Sequence, residues 1–300
     1  MARMAETTFT AVDLSRLPAP DIIEALDFET ILADAVTRMR TLMPAFEIRD
    51  SDPATKLLQL FAYAAQMLRQ RVNDAVRAVM PAYAVGADLD NIAASFGIVR
   101  LTITPADDQL GIAAVMESDA DFRRRMVLAP EGYSVAGPEG AYIFHALSAD
   151  PDVLDASATS PSPGEVLLSI LSRTGNGQAS PALVEAVRIH ASDQTRRPLT
   201  DYVTAQSAQI VEYAIDATIT TFSGPDGDVV IASARAGLEE YTASSHKLGR
   251  DITRSGIFAA LHVAGVQNVV LTAPAADIII SRTQAPYCTG ITITHAGAGE

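Results

Sequence analysis

The chain has 300 residues, 48% of them hydrophobic, and a formal net charge of −14 from 36 acidic and 22 basic side chains. This length suggests two or three structural units, and the apolar content excludes wholesale disorder. The acidic balance argues against a general nucleic-acid or anionic-membrane binder, because no excess of cations exists to displace counterions from phosphate.

The N-terminus MARMAETTFTAVDLSRL lacks a continuous apolar core and a small-residue cleavage site, so it does not read as a secretory signal. No stretch approaches the roughly 18 apolar residues of a membrane span. The single cysteine, Cys288, permits no intrachain disulfide and reads as a small buried hydrophobe. A soluble protein made in the cytoplasm is expected. Of the basic residues only Lys56 and Lys247 are lysines. Arginine suits interfaces, and biased genome composition produces the same skew.

The first element is the strip LPAPDIIEALDF, residues 17–28. Pro20 is excluded from a helix interior, and the residues before Pro18 and Pro20 are pushed towards extended backbone. Two readings stand. In one, Ile22, Ile23, Leu26 and Phe28 fold back on the chain's own helices. In the other, the extended strip lies along a neighbouring subunit with reduced ordering cost.

Asp27 caps a predicted helix over 28–43, with Ile31, Leu32, Ala35, Val36, Met39 and Leu42 on its apolar face and Pro44 as its stop. A second helix follows Pro53 and runs to about Met80. Its stripe, Leu57, Phe61, Ala64, Leu68, Val72, Ala75 and Val79, advances in steps of three or four. Packing into the chain's own core is the favoured reading of that stripe, and a seam for a partner is the alternative. A short helix is predicted from an Asp88 cap through Leu89, Ile92, Ala93 and Phe96 to Gly97. Residues 100–117 read as irregular, and MESDADFRRRMVLAP, 116–130, as a capped helix.

From Glu131 glycines and prolines cluster, and strands alternate with short helices. Ser180 and Pro181 form a favoured helix start. QIVEYAIDATITT, 209–221, is a half-buried strand with Val211, Tyr213, Ile215, Ala217 and Ile219 inward. Asp228 starts a helix with Ile231, Ala234, Leu238 and Tyr241 inward. The segment from Tyr142 parallels that from Gly256: each reads helix, break, strand, proline-bearing turn and apolar strand, with Ile143 facing Ile257, Leu147 facing Leu261 and Pro161 facing Pro274. Duplication and shared α+β grammar both account for it. The predicted class is α+β: an extended arm over 1–27, a helical region over 28–130, then α+β subdomains with mixed or antiparallel sheets over 131–224 and 225–300.

Catalytic chemistry is hard to place. His145, His190, His246, His262 and His295 form no metal-binding spacing, and His145 and His262 read as satisfied, partly buried side chains at matching places on two helices. Asp119 and Asp121 suit a cation, which makes a metal-dependent hydrolase the alternative function. Ser118 or Asp119 as a cap, with acids ahead of Arg123, Arg124 and Arg125 along the helix dipole, explains the same residues. Three consecutive arginines point around a helix rather than at one phosphate. SRTGNGQAS, 172–180, lacks the GK[ST] of a phosphate loop and reads as a tight turn. No catalytic, metal or cofactor residues are expected.

Several blocks together resemble the baseplate J family of contractile phage tails. They are DLSRLPAPDIIEALDFETIL, RQRVNDAVRAVM, GADLDNIAASFGI, RLTITPADD, MESDADFRRRM, EGYSVAGPEGAYIFHALSAD, SPSPGEVLLSILSRTGNG and HKLGRDITRSGIFAALHVAGVQNVVL. The resemblance runs nearly end to end. It implies a structural wedge subunit that pairs with other wedge proteins and with copies of itself in a ring around the tail tube, near sheath and fibres, and that rearranges to release contraction. It also implies a virion location, helices that bundle with partners, small domains that pivot near Pro130, and no catalytic residues. On that basis Leu17, Pro18, Pro20, Ile22, Ile23, Leu26, Phe28, Leu57, Phe61, Leu68 and Val72 are the candidate partner-binding residues.

Overall fold

The structure, a computed structural model, describes residues 14, 17, 18, 20–224 and 226–299. The rest of the expected arm, residues 1–13, 15, 16 and 19, lies outside them. Among the described residues there are eight α-helices and eight β-strands. The fold is α+β, with a helical N-terminal region. Two compact units emerge. The described residues up to Arg100 form one together with 118–123; Leu101–Glu117 and the residues from Arg124 onward form the other.

In the helical unit, α1 (Phe28–Leu42) starts where Asp27 accepts from both the amide and the hydroxyl of Thr30, at 2.8 and 2.7 Å. Helix α2 (Pro53–Ala78) has Asp52 as its cap and Pro53 in its first turn, where a missing amide proton costs nothing. Ile31, Ala35 and Val36 of α1 and Ala62 of α2 are buried. Helix α3 (Gly86–Ala94) begins two residues before its expected cap. Its N-cap is Val85, which makes no side-chain bond, and Asp88 sits inside the first turn. The unused capping role passes to another element: the Gly86 amide donates to the Asp119 carboxylate.

Helix α4 (Asp119–Leu128) is capped by Ser118, whose hydroxyl accepts from the Asp121 amide at 3.1 Å. The segment expected to be irregular contains a two-stranded antiparallel ribbon, β1 (Thr102–Thr104) and β2 (Val115–Met116). It escapes sequence detection because neither strand alternates long enough to register.

The larger unit continues with two α+β halves. The central half runs α5 (Glu139–Ala149), β3 (Val153–Thr159), β4 (Glu165–Ser172), α6 (Pro181–Ala191), β5 (Tyr202–Ser207). The C-terminal half runs β6 (Gln209–Phe222), α7 (Gly227–Ser245), α8 (Arg254–Leu261), β7 (Val266–Ala273), β8 (Gln284–Gly299). In each sheet a middle strand has one antiparallel and one parallel neighbour: β3–β4–β5 and β7–β6–β8. Two helices pack on each sheet. Thus α5–β3 matches α8–β7, but it precedes its middle strand in one half and follows it in the other. Ile143 and Leu147 occupy the same buried role as Ile257 and Leu261. The expected final apolar strand near 277–281 is absent. Ile278 makes only an isolated bridge to Ile252, and the next strand starts at Gln284.

Strand β6 buries Tyr213, Ile215, Ala217 and Ile219 as its alternation predicts, with Val211 half-buried. Helix α7 starts one residue early, at Gly227 on an Asp226 cap, and buries Val230, Ala234 and Leu238. Gly237 allows α7 and α8 to touch, since a Cβ there would lie 2.8 Å from the Ala260 carbonyl oxygen. Gly177, with φ +97°, turns the chain between β4 and α6, and Ser180 caps α6 as expected.

The two halves are fastened together. Only Ala208 separates β5 from β6, and its amide continues the ladder to the Ile170 carbonyl at 2.8 Å. Asp155 accepts from Arg124 at 2.5 Å and from the Leu248 amide at 2.9 Å. Arg282 pairs with Glu139 and donates to the Ala158 carbonyl. Leu171, Ala208, Leu248 and Ala285 form a small shared core.

Candidate partner-binding surfaces

The stripe expected to close the core does not. Leu57, Phe61, Leu68, Val72 and Val79 are each 56–71% exposed, and Ala64 and Ala75 are exposed as well. The buried positions of α2 are Thr55, Ala62 and Asn73, on a different face. Pattern predicts amphipathicity, but it does not say which side the chain itself covers. On that face the polar Asn73 is only 3% exposed. The stripe ends at Val79, in an open groove also lined by Asp88, Asn91, Ile92, Ser95 and Phe96.

Asn73 is buried because it binds the N-terminal strip. Its side-chain oxygen accepts from the Glu24 amide at 3.1 Å, and its side-chain nitrogen donates to the Glu24 carbonyl at 2.9 Å. Both backbone groups of one extended residue are thereby satisfied. Arg69 adds a looser ion pair to Glu24 at 3.7 Å, with both side chains about half exposed. Around this clamp Pro20, Ile23, Leu26 and Phe28 are half-buried, whereas Leu17, Pro18 and Ile22 are exposed. The strip is held on its own helix at Glu24 and leaves part of its apolar surface uncovered.

A third apolar surface had no counterpart in the sequence reading. LGIAAVM, residues 110–116, is exposed throughout, with its four large side chains 44–72% accessible. Its signal in the sequence is an unbroken seven-residue run without a polar side chain, between Gln109 and Glu117. The ribbon is rooted by Glu117, which exchanges backbone and side-chain bonds with Leu101. Glu117 also receives a two-pronged bond from Arg125 at 3.1 and 2.6 Å, with both side chains buried.

The residues weighed for chemistry are engaged in structure. Burial alone would raise the Asp119 carboxyl, but Arg100, the Gly86 amide and Arg123 hold it below its ordinary value. Arg100 also pairs with Asp90 and stacks over Phe122, 4.8 Å from the ring centre. Arg123 donates to the carbonyls of Pro81 and Ala84, Arg124 to Asp155 and Arg125 to Glu117, so the three arginines serve three separate places. Among the described residues no group of three or more His, Cys, Asp or Glu side chains is placed to hold a metal ion. Cys288 is half-buried against the C-terminal core, and burial pushes its thiol up.

Two histidine expectations need correction. His145 is buried on α5, and its Nε2 has no hydrogen-bond partner among the described residues; its ring lies 6.2 Å from that of His190. His262 follows the last turn of α8 and is exposed. By the pairing of Ile143 with Ile257 and Leu147 with Leu261, His145 matches Ala259 and His262 matches Ser148; α5 runs two residues past Leu147 to Ala149 whereas α8 stops at Leu261, so His262 falls just beyond its helix.

The chain belongs to the baseplate J-like family. The family's N-terminal domain matches residues 50–107, its central domain 134–207 and its C-terminal domain 213–294. Baseplate protein J of Escherichia phage P2 is 49% identical over 299 residues, covering 96% of this chain and 99% of that protein. A chain of the anti-feeding prophage baseplate is also similar, at 13% identity and a TM-score of 0.41, covering 59% of this chain and 43% of that one.

Proposed function

We propose that the chain is a structural wedge subunit of a contractile-tail baseplate, where copies of it and other wedge proteins form a ring around the tail tube. The reading rests on family membership along the whole chain, joined to one observation: α2 carries an apolar stripe that its own fold leaves open. A helix with such a stripe is built to be covered by another chain. Leu57, Phe61, Leu68 and Val72 on α2, with Leu17, Pro18, Pro20, Ile22, Ile23, Leu26 and Phe28 of the strip, are the proposed partner-binding residues. On this reading the protein acts through contacts and not catalysis, needs no cofactor, is made in the host cytoplasm and ends in the particle. Its partners are wedge proteins and further copies, with sheath or fibre as neighbours. Movement of the helical unit against the α+β unit would be part of the rearrangement that releases contraction. Among the described residues no helix is long and apolar enough to cross a membrane.

The test is the pair Leu68→Asp and Val72→Asp. Both sites are already in water, so the folded chain keeps its circular dichroism and melting temperature. Recovery in tail particles falls tenfold or more. Unchanged recovery removes α2 as the assembly surface.

A further inference from the structure

Buried polar atoms in folded proteins are nearly always bonded, and each exception marks a group whose burial costs free energy. Among the described residues five buried side-chain atoms have no partner, and three of the five lie on α5 or at the end of α6. His145 Nε2 and Ser148 Oγ stand one turn apart on α5, and Ser192 Oγ sits at the C-cap of α6, the helix that packs on α5. His145 is 7% exposed, and its ring lies 6.2 Å from that of His190 in the last turn of α6. Two imidazoles therefore meet across the α5–α6 seam. Arg196 stands beside them and donates to the His190 carbonyl at 2.8 Å.

The charges that act on His145 are those of Arg196 and His190, both of positive sign. Asp193 acts on His190 and is itself held by the amide and hydroxyl of Thr195. The acids of the elements packed on α5 are placed elsewhere. Asp155 of β3 pairs with Arg124, Glu185 of α6 pairs with Arg188, and Glu165 of β4 is exposed. Glu139 on α5 pairs with Arg282, and Glu131, in the 3₁₀ turn 131–133, is not among the charges that act on His145. A proton entering this seam adds charge to the apolar packing of Ile143, Leu147, Val187 and Ala191 with no carboxylate to pair it. The C-terminal half is built differently. His246 Nδ1 lies 2.6 Å from the Pro286 carbonyl, and His295 Nε2 lies 3.2 Å from the Thr221 hydroxyl. A carbonyl only accepts, so His246 Nδ1 is the donor, and a second proton on that ring leaves the bond intact.

We infer that His145, with His190 and Arg196, makes the α5–α6 seam an acid-operated latch: protonation of the buried ring parts α6 and the turn after it from α5, while the C-terminal sheet stays closed. The opening is bounded by Tyr142, whose hydroxyl donates to Asp201 at 2.7 Å and keeps the end of that turn on α5. Burial first, then Arg196 and His190, hold His145 down to about 4 from 6.5, so the closed seam rejects a proton that the open one accepts. Closure is therefore firm above about pH 6.5 and weakens as pH falls towards 4. Between pH 7 and pH 5 one such group makes local opening about twentyfold more frequent. The latch belongs to this chain alone and stands whether or not the chain is a baseplate subunit.

The test is hydrogen exchange of the full-length protein at pH 7 and pH 5, read by mass spectrometry and corrected for the intrinsic pH dependence of exchange. Peptides from α5 and α6 are expected to lose protection about twentyfold, while those from β6 and β7 keep theirs. Equal loss in both halves, or no loss in α6, overturns the latch. His145→Leu and His145→Gln are each expected to abolish the difference, because neither side chain takes up a proton. A folded variant that still loses α6 protection in acid overturns His145 as the trigger. If neither variant folds, NMR titration of histidine-labelled wild-type protein decides. A His145 ring that takes up its proton only as α6 loses protection supports the latch; a ring that titrates near its ordinary value with α6 still protected overturns it.

Discussion

Single residues in this chain carry joints that the sequence pattern gave no reason to single out. Glu117 is buried and holds both the Arg125 guanidinium and the Leu101 amide. Removing one member of a buried pair leaves the other charge in a poor environment, at a cost of about 3–5 kcal/mol. Glu117→Ala is therefore expected to lower the denaturation midpoint strongly, whereas Asp108→Ala at the exposed tip leaves it unchanged; equal effects in urea titrations contradict the assignment. His145 acts through pH. Burial first, then the charges of Arg196 and His190, push it down to about 4 from 6.5. The unfolded chain thus takes up a proton before the folded one, so stability is full above about pH 6.5 and falls as pH drops towards 4. The loss is at most about 3 kcal/mol. His145→Leu is expected to flatten that part of the stability profile; an unchanged slope shows that other groups set it.

At the scale of elements, α2 and the N-terminal strip set the order of binding. Asn73 fixes the strip at Glu24 through backbone groups alone, so its hold is independent of side chains elsewhere on the strip. Asn73→Ala is expected to expose the Glu24 amide to hydrogen exchange at least tenfold faster while α1 and α6 keep their protection. Unchanged exchange at Glu24 means the half-buried apolar side chains hold the strip without it. The same elements show what was legible. Caps at Asp27, Ser118 and Ser180 and the inward face of β6 follow from local chemistry and alternate burial. The outcome at α2 does not, because a periodic stripe specifies a face and leaves its occupant unspecified. The burial of Asn73 is not legible for a related reason: a polar side chain is buried when a distant backbone segment satisfies it, and that segment lies 49 residues away.

For the whole molecule, the halves of the larger unit repeat one topology with α5–β3 and α8–β7 at different points of the chain order. This is why the sequence repeat is clear over a helix and a strand and then fails near Ile278. The ribbon was missed because its strands are three and two residues long, and pairing, not periodicity, makes them. A chain of a baseplate family that leaves an apolar helix stripe and an apolar ribbon open presents the surfaces an assembly subunit needs. The measurement that tests this most directly is an electron cryo-microscopy map of the purified tail tip from particles made with this chain. The account predicts several copies around the central tube, with Phe61, Leu68 and Val72 of each α2 covered by a neighbouring chain. A tip that lacks the chain, or one in which those side chains face solvent, contradicts it.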